Sequence, residues 1–554
     1  MAGRTMGAMT RTEQLRLRLL GYQPPDRLLG WVLPILVALI GGVLRFWRLG
    51  HPGTLVFDET YYVKQAYSLL TWGYERRVRA DLTGESVTPH ADQVFASGTP
   101  NVFGTDSDFV VHPPVGKWVI AVDQQVFGAD DPVGWRFSMA VLGTLSILML
   151  ARAARRMFGS TVLGTTAGLL LALEGHHLVH SRTGLLDLTV MFFALAAFCA
   201  LLIDRDASRE LLARRVGAIW EASGRSRQAS GDDDLDARHW ALTDPRMRYG
   251  PRLGWRPWRW VAAASLGLGI GTKWSGLYFL AVFGLMTVLW EVGARRAAGV
   301  RRPVAGTLLI DAPQAASTML PTAVGVYLAT WIGWFRSDGG WNRSWGATHP
   351  AEGAAALVPD ALRGLWQYHR EMMDFHVGLT SPHTYQSNPW SWMLMGRPTS
   401  FYYEGPTNGA DGCTVEKCSK AITNIGTVSI WWAGVAAVFV LLVAWLLRRD
   451  WRAGAILAGF VAGYLPWFLY QSRTIYTFYA VAFVPWVVLG VTYLLGVLIG
   501  PSSASCARRR RGLLGAGAFV VLTAAMFVFW YPVWTAEVIP YDQWTWRMWF
   551  PSWI

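Results

Sequence analysis

The apolar runs of this chain leave it few choices of fold. A helix needs about 20 predominantly apolar residues to cross a bilayer, and runs of that character recur along the whole sequence, with arginines clustered between them. The first covers residues 28–46 and follows a segment, 1–27, that carries Arg4, Arg11, Arg16, Arg18 and Arg27. A second, 137–150, stops at Arg152, Arg155 and Arg156. Runs at 162–179 and 185–203 precede a polar, arginine-rich insertion at 204–259 with the acidic residues Asp232, Asp233 and Asp234. Runs at 260–271 and 275–290 are separated only by Thr272-Lys273-Trp274, and Arg295, Arg296, Arg301 and Arg302 come next. The remaining runs are 315–335, 428–447, 456–470, 478–499 and 513–530, with arginines at 448, 449, 452 and 508–511.

The reading is an all-α polytopic membrane protein with about 11 spanning helices and two long loops, 48–135 and 336–424. Cytoplasmic loops of membrane proteins carry the excess of Lys and Arg. An odd number of crossings puts every dense arginine cluster inside and both long loops outside, and each long loop holds more acidic than basic residues. Segment 1–27 is then cytoplasmic, 28–535 forms the membrane domain, 204–259 is a solvated cytoplasmic loop, and the Trp-rich tail 536–554 is external. No small-residue cleavage site follows the first run, which reads as a retained anchor. The chain is 52% hydrophobic with a net charge of +13. Because its basic residues punctuate apolar runs and gather on no single face, nucleic acid is not an expected partner.

The charges kept near the outer face are the informative ones. Asp58 and Glu59 follow the first run, between an apolar stripe and Tyr61-Tyr62. In a helix two such neighbours point about 100° apart, so one can act on a ligand while the other holds the loop. Arg136 opens the second run. Arg182 and Asp187 lie in the turn after the third, Lys273 between the fifth and sixth, and Arg473 between the ninth and tenth. Fixed cations at the hydrocarbon edge suit a phosphate whose lipid tail stays in the bilayer, and a nearby acid suits removal of a proton from a hydroxyl. Plainer readings stand beside these: Arg136 and Arg473 as helix-end anchors, and Asp58-Glu59 as ordinary loop charge. His176 and His180 share a helix face, which fits either a metal pair or structural histidines. Cys413 and Cys418 lie close together in a polar stretch and can form a disulfide in an oxidising compartment; a zinc pair would need further ligands nearby.

Phe57-Asp58-Glu59 with two aromatics after it, then His112-Pro113-Pro114-Val115-Gly116-Lys117, resembles the protein O-mannosyltransferases, specifically their actinobacterial branch. Further matches follow in order. They are Ser181-Arg182 with Leu185-Leu186-Asp187, then Gly271-Thr272-Lys273-Trp274-Ser275-Gly276-Leu277, then Tyr368-His369-Arg370-Glu371-Met372 with Asp374-Phe375-His376. Ser387-Asn388-Pro389-Trp390-Ser391-Trp392, Ile425-Gly426 with Trp431-Trp432, and Trp549-Phe550-Pro551-Ser552-Trp553 complete the series. The resemblance implies a GT-C-type glycosyltransferase that moves mannose from polyprenyl phosphate mannose to Ser or Thr hydroxyls of emerging proteins, outside the membrane. Asp58 matches its essential acid, with Glu59 beside it, and Arg136 and Lys273 match donor-phosphate contacts, joined by Arg182 and Arg473. Acceptor contacts are expected from His376, His383, Tyr385 and Trp390 in the second long loop. Membrane lipids and the protein translocon are the expected surroundings, and no metal or other cofactor is required by the scheme. Two departures stand out. The soluble insert that eukaryotic members carry in the second long loop is absent, and the 204–259 insertion lies outside the family pattern. A sibling enzyme moving another lipid-linked sugar such as arabinose is the nearest alternative; a lipid flippase would need charges or broken helices near the midplane.

Overall fold

The computed structural model describes residues 9–21, 24–84, 87–224 and 240–554. Arg4 and the acidic run 232–234 lie outside them. Helix α1 (Arg11–Leu20) begins at a capping box in which Thr10 and Glu13 satisfy each other's backbone N–H groups. It precedes the first apolar helix, α2 (Leu29–Phe46). The first long loop folds into α3 (Glu59–Trp72), the strand pair β1 (Arg76–Val78) and β2 (Phe103–Ser107), and α4 (Val115–Phe127). Next come α5 (Val133–Phe158), α6 (Thr161–Ala172), the single-turn α7 (Gly175–His180) and the 36-residue α8 (Asp187–Ala222). Helices α9 (Pro257–Ile270), α10 (Gly276–Ala297) and α11 (Ala312–Thr330) lead to the second long loop. That loop contains α12 (Asp360–Gly378) and strands β3 (Thr399–Glu404) and β4 (Cys418–Asn424). The chain closes with helical segments α13 (Val428–Arg448), α14 (Trp451–Tyr470), α15 (Thr477–Ile499) and α16 (Cys506–Trp534), then strand β5 (Val538–Pro540).

Among the described residues, eight helices are long and apolar enough to cross a membrane: α2, α5, α8, α10, α13, α14, α15 and α16. The other three predicted runs fall on α6, α9 and α11, which are shorter or less apolar. The third run breaks after Ala172, because Glu174 turns back to accept the backbone N–H groups of His176 and His177 and so starts α7 as a separate helix. Close packing depends on small residues where helices meet. A Cβ on Gly41 of α2 would come within 2.4 Å of the Ile147 side chain of α5, and one on Gly459 of α14 within 2.0 Å of the Trp486 ring of α15.

The described part of the 204–259 insertion is not a solvated loop. Helix α8 continues through it to Ala222, and Leu212, Val216 and Trp220 form one buried stripe with Leu15 and Leu19 of α1. Below that stripe Asp204 and Glu291 share the guanidinium groups of Arg256 and Arg259, all buried. Buried charge persists only when paired, and here three helices, α8, α9 and α10, meet over the pairs.

Strands β3, β4 and β5 make one antiparallel sheet in that order. The β3–β4 register shifts between Ser400 and Tyr402, leaving Phe401 at a bulge. Cys413 and Cys418 are joined by a disulfide at the start of β4. Arg397 donates to the carbonyls of Ser552 and Ile554, tying the tail to this loop.

Candidate active site

Phe57 adopts a left-handed backbone (φ 49°) and hands the chain to α3, which Asp58 caps through its carbonyl. The two carboxylates then part. Glu59 is fully buried and bidentate to Arg136, at 2.7 and 2.8 Å, and also accepts the N–H groups of Val56 and Gly184. Asp58 is half-buried, and its side chain receives only a long hydrogen bond, 3.5 Å, from the Tyr62 hydroxyl. Burial raises the Asp58 pKa to about 6; Lys273 pulls it down and Asp187 pushes it up. The like charge acting on Asp58 is thus that of Asp187, while Glu59 is neutralised by its arginine. Glu59, read from sequence beside Asp58 as catalytic, is a scaffold residue because its oxygens have no capacity left.

The same correction applies to two of the four predicted phosphate cations. Arg136 is fully buried, and beyond Glu59 its N–H groups donate to the carbonyls of Leu49, Pro52 and Thr54. Arg182 donates to the carbonyls of Leu44, Arg45, Trp47 and Arg48, closing the C-terminal end of α2. Every N–H of Arg136 is engaged, by Glu59 or by backbone, and both terminal nitrogens of Arg182 donate to backbone carbonyls, which takes up donors a phosphate would need.

Lys273 and Arg473 are differently placed. Both line a cavity of about 250 Å³ with His112, Asp187, Trp274, Tyr278, His376 and Tyr479. The Lys273 ammonium lies 2.7 Å from Asp187 and within 6 Å of the Tyr62 and Tyr479 rings. The tight turn after α9 makes this possible: Val115 at the start of α4 donates its N–H to Gly271, drawing the Lys273 turn against the first long loop. His376 donates from Nε2 to the Val111 carbonyl at 2.8 Å, so its Nδ1 accepts from Arg473 at 3.3 Å. Burial, then the Arg473 charge, lower the His376 pKa to about 4. Burial also holds His112 well below its usual range, aided by Lys273, and its Nδ1 is unpartnered. The Nε of Arg473 is unpartnered too. The cavity therefore combines Lys273, Arg473 and neutral polar groups with the Asp187 carboxylate. Val190, Leu277, Phe279, Pro466 and Ala482 make up much of its apolar wall.

Of the predicted acceptor residues only His376 reaches this cavity. His383 accepts the Tyr385 N–H, Tyr385 lies under the Arg397 guanidinium, and Trp390 is 70% exposed against the edge of Phe468. None of these three lines the cavity, and the chain around His383 and Tyr385 is largely exposed. Each histidine of α7 has a protein partner. His176 donates to Phe478, His177 accepts from Arg45, and His180 accepts from Asn424. No group of three or more His, Cys, Asp or Glu is arranged to hold a metal ion among the described residues. Sequence reading gave no role to Asp187, His112, Tyr62 or Tyr479. The first three stood inside quoted motifs, but only the fold brings them together.

Loops over a bundle of membrane helices bring Asp187, Lys273 and Arg473 to a half-apolar cavity, and the fold is that of the GT-C glycosyltransferases. The fold matches that of the Saccharomyces cerevisiae protein O-mannosyltransferase Pmt1–Pmt2 complex bound to the sugar donor, with a TM-score of 0.68 at 14% identity over 99% of this chain and 95% of that one. Residues 35–211 match the family described as dolichyl-phosphate-mannose-protein mannosyltransferase, and residues 361–553 the C-terminal four-transmembrane region of protein O-mannosyltransferase. The polyprenol-phosphate-mannose–protein mannosyltransferase of Mycolicibacterium smegmatis is 35% identical over 96% of this chain and 94% of its own length. That of Mycobacterium tuberculosis is 34% identical over 96% and 93%. The chain belongs to the protein O-mannosyltransferase family, and it is a multi-pass membrane mannosyltransferase that acts on protein.

Proposed function

We propose that Asp58 is the general base in transfer of mannose from polyprenyl phosphate mannose to a Ser or Thr hydroxyl, and that Lys273 and Arg473 hold the donor phosphate. The acceptor oxygen attacks the anomeric carbon from the face opposite the phosphate, and its proton passes to Asp58. The bond between that carbon and the phosphate oxygen breaks with its electron pair going to polyprenyl phosphate. A single displacement of this kind inverts the sugar carbon. A phosphate leaving group needs its charge held, which two cations supply without a metal. A hydroxyl is a poor nucleophile and needs a base that is still ionised at neutral pH yet basic enough to accept a proton.

The observation that carries this reading is the Asp58 carboxylate, held by one long hydrogen bond from Tyr62, near the Lys273–Asp187 pair, with burial raising its pKa. Relatives whose names specify polyprenol phosphate mannose as donor and protein as acceptor support it. The apolar cavity wall suits the first units of the polyprenyl chain, with the rest of that lipid in the bilayer. The site is assigned to the extracytoplasmic face, with α1 in the cytoplasm, from the arginine distribution between apolar runs. On that face the acceptor arrives as an extended segment from a protein translocon.

Purified protein supplied with labelled polyprenyl phosphate mannose and a Ser/Thr-rich peptide tests the reading. Label is expected in the peptide, released by base-catalysed elimination. Label recovered only in glycolipid would overturn it.

A further inference from the structure

Two departures from regular backbone meet directly before Asp58. Phe57 holds φ 49°, a conformation that bulky side chains rarely adopt and that persists only where surroundings impose it. Phe401 sits where the β3–β4 register slips, and bulges of this kind re-aim a side chain. The rings stack on one another, centroids 4.6 Å apart and planes within 5°. Phe478 of α15 closes the cluster, edge-on to Phe57 at 5.3 Å and to Phe401 at 5.7 Å. His180 approaches the edge of Phe401 at 5.7 Å, and its ring is held by Asn424 at the end of β4. Phe401 and Phe478 are buried, so the ring of Phe57 has little room to turn. The second long loop is thereby coupled to the residue preceding the base across more than 340 positions of sequence.

We propose that Phe57 and Phe401 are positioning residues that clamp the Phe57–Asp58 peptide, so that the second long loop sets where the Asp58 carboxylate stands. This rests on Asp58 being the base. Hydrogen bonds of Val56 and Glu59 bracket the turn, but the stack is what holds the Phe57 side chain, and its loss lets the left-handed backbone relax and the start of α3 shift. A base displaced by about 1 Å loses rate without losing substrate.

The test is steady-state transfer by the purified full-length protein, separating kcat from KM. Phe401→Ala is expected to lower kcat about tenfold or more while both KM values stay within about twofold, and Phe401→Tyr to restore near-normal kcat. In an Asp58→Asn background Phe401→Ala is expected to add no further loss, since the group it positions is gone. Phe57→Gly accepts the positive φ but lacks the ring, so it should show the same kcat-only loss even if Phe401→Ala fails to fold. A kcat within about twofold of normal in Phe57→Gly, or a Phe401→Ala loss that multiplies fully onto Asp58→Asn, overturns the clamp. Normal turnover by Asp58→Asn alone rejects the base instead, which separates the two failures.

Discussion

Asp58 and Glu59 share a chemistry and a peptide bond, and the fold gives them different work. Glu59 is buried with every oxygen engaged, while Asp58 keeps a carboxylate with one long hydrogen bond. The pKa of Asp58 is raised, so its ionised form is lost as pH falls through about 6. Transfer should rise with pH through about 6 and then level off; an acid limb near the ordinary carboxylate value would show that another group titrates. The same shift means that charging Asp58 works against folding above about pH 6, so Asp58→Asn should melt no lower than the parent protein at pH 7.5. Arg136→Ala should behave in the opposite way. Removing one partner of a buried pair typically destabilises by about 3–5 kcal/mol, so thermal unfolding should drop sharply while the folded fraction keeps its donor affinity. A selective loss of donor affinity would return Arg136 to the phosphate site. The sequence showed both acids and the arginine, yet not who pairs with whom, because the Glu59–Arg136 contact spans 77 positions and carries no local periodicity.

Turns between helices supply the two cations proposed for the donor phosphate. Lys273 lies between α9 and α10 and Arg473 between α14 and α15, and the ends of those turns face one cavity. A hydrogen bond to a charged group is worth about 1.5–3 kcal/mol. Lys273→Ala and Arg473→Ala should each therefore raise the donor KM about tenfold or more, and unchanged donor KM in both would remove them from the phosphate. Short basic turns at the far end of apolar runs were legible, since helix ends on that side need no basic anchor. The extension of α8 is hidden in the sequence, although Leu212, Val216 and Trp220 recur every fourth residue through an arginine-rich stretch. That apolar stripe was the available signal, and high average polarity hid it. Nearness in sequence groups His383, Tyr385 and Trp390 with His376, whereas of the four only His376 lines the cavity.

At the scale of the whole molecule, apolar runs and arginine clusters yield the helical membrane fold but not an exact number of crossings, because shorter helices pack among longer ones. The side on which the loops lie is a matter of charge asymmetry and can be checked directly. On intact cells a membrane-impermeant thiol reagent should label Cys413 and Cys418 only after reduction and leave the exposed Cys506, beside the 508–511 arginines, unlabelled. Labelling of Cys506 alone would invert the topology. In the proposed reaction one carboxylate takes the hydroxyl proton while cations hold the departing lipid phosphate. Single-turnover transfer by purified Asp58→Asn, at saturating donor and peptide, isolates that proton transfer. Intact donor binding is expected, with a rate at least about a hundredfold below the parent protein, the reach of general base catalysis; mannosylated peptide formed at the parent rate would rule out Asp58 as the base.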